Sequence, residues 1–137
     1  MEECKIPVVW GLDKKYVLQA FVVMHSILRN SKHHFHFFIL TADELKYDVE
    51  KYSDILKKEY SNFELSVEIV DINRFASAKI RNRHLSKAAY FRLLIPEIIL
   101  EYNKCIYLDC DIIVHGDLKE FFEIGIEDYY LAGVKDC

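Results

Sequence analysis

Apolar and polar residues follow one another in blocks with two distinct periods. Ile6 to Trp10 is a continuous apolar run that stops at Gly11-Leu12-Asp13, and from Lys14 to Asn30 apolar positions recur at helical spacing through Val17, Phe21, Met24 and Leu28. A short apolar run followed by that spacing predicts a strand and then an amphipathic helix. The unit repeats. Phe35 to Thr41 reads as a second strand, and it runs into Thr41-Ala42-Asp43-Glu44, a capping box for a helix whose apolar face is Leu45, Val49, Tyr52 and Leu56. Phe63 to Ile72 alternates as a third strand, with Leu65, Val67 and Ile69 on one face and Ser66 and Glu68 on the other. A polar face of that kind belongs near the edge of a sheet.

The polar, basic connection Asn73 to Ser86 leads into a short helix, Lys87 to Ile95, which Pro96 is expected to end because proline disfavours helix in the residue before it. Cys105 to Val114 reads as a fourth strand. Gly116, Asp117 and Glu120 read as a turn and cap for a helix over 118–124, and Tyr129 to Val134 as a last strand. Strands alternating with helices predict an α/β fold, a mostly parallel sheet covered on both faces, which binds ligands beyond the carboxyl ends of its strands. The loop after the first strand and the carboxylates of the fourth are the candidate positions.

Composition narrows the function more than the fold. At 137 residues, 52% hydrophobic and 14% aromatic, the chain supports one ordinary core and carries no mark of disorder. Its net charge of −4, with cations scattered among acids, offers no basic stripe for a phosphate backbone, so nucleic acid is excluded as a partner. The start, MEECKIPVVW, lacks the basic-then-apolar layout of a signal peptide, and the most apolar helical run is interrupted by Gln19 and His25. No transmembrane segment is expected. Cys4, Cys105, Cys110 and Cys137 form no C-x-x-C pair and read as reduced, structural cysteines of a cytoplasmic protein.

The candidate chemistry centres on Asp109 and Asp111, set in the apolar run Tyr107 to Val114. A bare D-x-D is weak, since at average composition roughly one chain in two of this length carries one. Its context is stronger. Unpaired buried carboxylates are costly, and in an extended chain residues two apart share a face, so the two acids are expected to meet one cation. Two oxygen ligands with room for water and phosphate oxygens suit Mg²⁺ or Mn²⁺ better than Zn²⁺. The alternative is a pair that caps a turn or bridges a nearby arginine.

Basic groups precede the pair: Lys79, Arg81, Arg83, His84, Lys87 and Arg92. Ser86 can cap the short helix, Ala88 and Ala89 allow close approach to the sheet, and Arg92 shares their face, which aims its guanidinium inward. Arg81 and Arg83 read as solvated loop charges. Asp13 offers a hydrogen-bond acceptor and Tyr16 a ring for stacking on a base, or else a helix cap and a core-edge aromatic. His33, His34 and His36 open a strand with no carboxylate or cysteine nearby and read as surface or edge residues. No Gly-rich phosphate loop, G-x-S-x-G or H-E-x-x-H occurs.

Four motifs in one order, IPVVWGLDKKY, SILRN, HLSKAAYFRLLIPE and KCIYLDCDIIVHGDL, resemble the N-terminal part of glycosyltransferase family 8, the group that includes lipopolysaccharide galactosyltransferases, lipopolysaccharide glucosyltransferases and glycogenin. The resemblance covers essentially the whole chain. It implies a GT-A fold and transfer of a hexose from a UDP-sugar, UDP-galactose or UDP-glucose, with retention of anomeric configuration. It implies that Asp109 and Asp111 bind Mn²⁺ or Mg²⁺ and that the Cys110 backbone touches the ribose. Asp13 and Tyr16 would contact uracil beside Gly11, and Lys87, Arg92 and His84 would face the diphosphate and sugar. Family members often carry Asn immediately before that tyrosine, where this chain has Lys15.

The acceptor implied is a glycan or lipid-linked glycan, in lipopolysaccharide or other cell-surface glycan synthesis. The enzyme implied is cytoplasmic, held at a membrane periphery through a C-terminal part. Residues 1–137 are expected to be the nucleotide-sugar-binding part of a GT-A domain that continues further, with no catalytic group assignable among them and little activity alone. Two rivals remain at this point. A haloacid-dehalogenase-like phosphatase also places D-x-D after an apolar strand, though on an early strand and before Thr or Ser, where this chain has Ile112 and Ile113. A non-catalytic nucleotide-binding α/β domain is the other.

Overall fold

The computed structural model describes residues 5–77 and 86–135. Strand β1 (Ile6–Gly11) leads through a 3₁₀ turn (Lys14–Tyr16) into helix α1 (Val17–Asn30), and β2 (Phe35–Thr41), α2 (Lys46–Lys57) and β3 (Phe63–Ile69) follow. A 3₁₀ helix (Lys87–Leu94) runs into α3 (Ile95–Ile98), before β4 (Ile106–Tyr107) and α4 (Leu118–Phe122). The strands form one sheet in the order β3-β2-β1-β4, and every pairing is parallel. β3 is thus an edge strand, as its polar face predicts.

Alternation along the central strands builds two cores, because successive side chains point to opposite faces. Ile6, Val8 and Trp10 of β1 and Phe35, Phe37 and Ile39 of β2 pack with the apolar stripe of α1 and with Leu56 of α2. Val9, Phe38 and Leu40 pack on the other face with Ala88, Phe91 and Leu94 of the 3₁₀ helix and with Ile99. Coverage on both faces explains why β1 and β2 read as unbroken apolar runs.

Several elements differ from the sequence reading. Thr41, Asp43 and Glu44 form no capping box for α2, which starts at Lys46 without a side-chain cap. The Thr41 hydroxyl accepts the Asp43 N–H at 3.1 Å, and the Asp43 carboxylate accepts the Lys14 N–H at 2.6 Å, so both side chains are spent on the loop after β2 and its contact with the loop after β1. Pro96 opens α3 instead of ending a helix, because at the first helical positions its missing N–H costs nothing. β3 stops at Ile69, and no strand forms over 129–134, whose residues are exposed.

The largest difference concerns the fourth strand, which spans two residues only. Leu108 N–H still reaches the Val9 carbonyl at 3.1 Å, and the chain then turns at Cys110 and Asp111. Asp109 and Asp111 therefore stand just beyond the end of a strand. They are exposed, so burial of their charge is not what requires compensation.

Candidate active site at the carboxyl ends of the strands

The connection after β1 carries the first group of candidate residues. Leu12 is buried and its N–H bonds the Leu40 carbonyl at 3.0 Å, which fixes the chain direction just before Asp13. Asp13 precedes the 3₁₀ turn with an extended backbone but makes no side-chain cap. Its Oδ1 is buried without a hydrogen-bond partner. An orphaned carboxylate oxygen is costly, and a hydrogen-bond donor or cation placed there would offset the cost. Tyr16 ends the turn at 40% exposure, with the Lys15 ammonium 5.9 Å from its ring centre.

Gly11 is small for a steric reason. A Cβ at this position would lie 2.9 Å from the Ala88 carbonyl oxygen and 3.2 Å from the Phe91 Cβ. The 3₁₀ helix therefore presses directly on the end of β1. Ser86 caps that helix by accepting the Ala88 N–H at 3.2 Å, as the sequence predicts, and Lys87, half-buried, is its first residue.

The same helix delivers Arg92. Its Nε donates to the Ala89 carbonyl at 2.9 Å, its guanidinium lies 4.6 Å from the Tyr107 ring centre, and a terminal nitrogen stands 3.8 Å from Asp109 Oδ1. Both side chains of that pair are partly solvated, at 46% and 63% exposure, so the pair orients more than it stabilises. Tyr107, which the sequence reading did not single out, is the platform. Burial pushes its phenol up, Arg92 lowers it, Asp109 raises it and a backbone hydrogen bond with Gly11 lowers it. An aromatic two residues before the first aspartate was the available signal.

Cys110 stands between the two aspartates in sequence. Burial, then Asp109, Asp111 and Asp13 in that order, push the Cys110 thiol up from 9.0 to about 12, so it stays neutral and adds no charge. The helix that presses on Gly11 thus carries Arg92 to Tyr107 and Asp109, while Asp13 follows β1 and Cys110 and Asp111 follow the adjacent strand β4. His84 lies outside the described residues, as do Lys79, Arg81 and Arg83. The histidines of β2 and its approach are elsewhere: His36 is flanked by the Tyr102 and Ser66 hydroxyls at 2.9 Å each, and His33 stands 3.6 Å from Asp117.

Among the described residues, no cluster of three His, Cys, Asp or Glu is placed to hold a metal ion. What is present is oxygen donors only: Asp109 and Asp111 after β4, and the unpartnered Asp13 oxygen after the neighbouring β1. Such a partial set fits a hard divalent cation that completes its coordination with phosphate oxygens and water, and not a zinc cage. No helix of the described residues is long and apolar enough to cross a membrane.

Known proteins place this architecture. The profile described as glycosyl transferase family 8 matches residues 7–137. Glycosyltransferase GlyE of Streptococcus pneumoniae is 30% identical over 142 residues, which cover 100% of this chain and 33% of GlyE. A lipopolysaccharide 1,2-glucosyltransferase of Escherichia coli is 27% identical over 129 residues, 93% of this chain and 37% of the relative. The chain spans about a third of the length of these relatives. The crystal structure of galactosyltransferase LgtC with donor and acceptor sugar analogues superposes with a TM-score of 0.79 at 23% identity, over 90% of this chain and 44% of LgtC. That of apo GlyE superposes at 0.75 and 25%, over 98% and 30%. The sheet is that of the GT-A type transferases, and the chain belongs to glycosyl transferase family 8.

Proposed function

We propose that this chain is the nucleotide-sugar-binding part of a GT-A domain whose whole protein transfers a hexose from UDP-galactose or UDP-glucose to a glycan or lipid-linked glycan, with retention, on the cytoplasmic side of cell-surface glycan synthesis. The observation that carries the reading is the placement of Asp109 and Asp111 just beyond the end of β4, with Arg92 3.8 Å from Asp109, at the end of a parallel sheet where ligands of such folds bind. Family membership speaks against a phosphatase that would use Asp109 as a nucleophile.

Asp109 and Asp111 would hold Mn²⁺ or Mg²⁺. Bound there, the cation supplies Lewis-acid stabilisation of the charge that develops on the departing UDP oxygen. The chain's own groups do the rest. Arg92, anchored through Nε on Ala89, keeps its remaining N–H groups for the diphosphate, where a planar fork pairs two oxygens. Lys87 and His84 would flank the diphosphate and sugar. Asp13 would accept the imide N–H of uracil with its unpartnered oxygen, Tyr16 would stack on the base, and the Cys110 backbone would meet the ribose.

Calorimetric titration of UDP with and without Mn²⁺ tests the reading. Binding is expected with the metal only, and it should fall at least tenfold in folded Asp109→Asn and Asp111→Asn chains. UDP binding that ignores Mn²⁺ or survives both substitutions would overturn the site.

A further inference from the structure

The segment Ser26-Ile27-Leu28-Arg29-Asn30 closes α1, and nothing in the proposed chemistry uses it. Its two polar side chains make the bonds that hold the chain just beyond the carboxylates. The Ser26 hydroxyl is buried, donates to the Val23 carbonyl at 2.7 Å and accepts the Val114 N–H at 3.0 Å. One Asn30 amide nitrogen donates to the Ser26 carbonyl at 2.8 Å and to the Val114 carbonyl, also at 2.8 Å. Both backbone polar groups of Val114 are thereby taken by side chains of α1, 88 and 84 residues away in sequence.

Val114 stands three residues after Asp111, and its side chain is buried in the core with Ile27. On the other side of the acids, Leu108 N–H is bonded to the Val9 carbonyl. The turn that carries Asp109, Cys110 and Asp111 is thus tethered upstream by the sheet and downstream by Ser26 and Asn30. The Asn30 bond to the Ser26 carbonyl serves the helix's own last turn. The two bonds to Val114 serve no such local need.

We propose that Ser26 and Asn30 are positioning residues that fix where Asp109 and Asp111 stand, in place of the strand ladder that stops at Tyr107. For its consequence on cation binding this rests on the reading of the carboxylates given above. Partners that orient ligand-bearing groups are worth roughly 10- to 100-fold in metal affinity, and the tether should act at the lower end of that range. Ser26→Ala removes one bond. Asn30→Asp keeps size and shape but turns both donated bonds into contacts between oxygens.

The test measures two quantities on the same samples: hydrogen exchange of the Val114 amide, and Mn²⁺ affinity from the free-ion electron paramagnetic signal. Ile27→Val serves as the control, because it lightens the same helix in the same core without touching Val114 hydrogen bonds, and thermal unfolding ranks all variants. Expected are at least tenfold faster exchange at Val114 in Ser26→Ala and about tenfold weaker Mn²⁺ binding in both test variants, with the control within twofold of the parent. Faster exchange with unchanged Mn²⁺ affinity, or an equal affinity loss in Ile27→Val, overturns the positioning role. A parent chain that binds no Mn²⁺ counts against the carboxylate site instead. The tether is then decided by amide exchange in 108–114, and equal rates in parent and variants overturn it.

Discussion

The sheet from β1 to β3 and the segment after β4 are held by different means. In the first, each strand is locked by a backbone ladder, six residue pairs between β1 and β2 and seven between β2 and β3, with apolar side chains closing both faces. In the second the ladder lasts two pairs, and side chains take over: Ser26 and Asn30 on Val114, Asp117 capping α4 through the Lys119 N–H at 3.0 Å. Ladder bonds are many and individually redundant, whereas a side-chain tether can be removed by one substitution. The candidate site stands on the boundary between the two regimes.

Substitutions should separate the regimes by size of effect. Phe37→Ala removes a fully buried ring that stacks edge-on to Trp10 at 5.4 Å, and should cost about 3–5 kcal/mol in denaturant unfolding. Gly11→Ala forces a methyl against the Ala88 carbonyl and should cost about 1–3 kcal/mol. It should also weaken UDP binding, by moving Arg92 away from Asp109. Asp117→Ala uncaps α4 at about 1 kcal/mol. Leu131→Ser, in the exposed stretch, should fall within about 0.5 kcal/mol of the parent. An Asp117 or Leu131 effect as large as that of Phe37 would erase the contrast between the two regions.

Acid should act on the sheet side. His36, on β2, lies between the Tyr102 and Ser66 hydroxyls, and burial lowers its pKa from 6.5 against the opposing pull of Glu64. The folded state then binds its proton more weakly than the unfolded state, so the stability gained is present above pH 6.5 and is lost as pH falls through and below that value. His36→Gln should flatten that part of a pH series of urea midpoints. An unchanged slope would remove His36 as the cause.

What the sequence made legible follows the same division. β1, β2 and α1 were readable because burial on both faces writes long apolar runs and a helical period, and β3 because its polar face marks an edge. The acids, Arg92 and Asp13 were readable as chemistry. Their setting was not. Ile112, Ile113 and Val114 have strand composition, yet the Val114 backbone is taken by side chains more than eighty residues earlier, and no local pattern records such a bond. Tyr129 to Val134 is apolar but pairs with no strand among the described residues, so pattern alone overstated it. Tyr107 escaped because an aromatic in a strand reads as core before it reads as a platform for a guanidinium.

Gly11 shows how a site can depend on a residue that offers it no functional group. The helix that bears Arg92 rests on the strand that leads to Asp13, and the gap between them is fixed by a side chain that is not there. In a screen of random variants for donor binding, Gly11 should score beside the acids, although no ligand need ever touch it. A reader of that screen would infer a contact, when what had been lost was a distance.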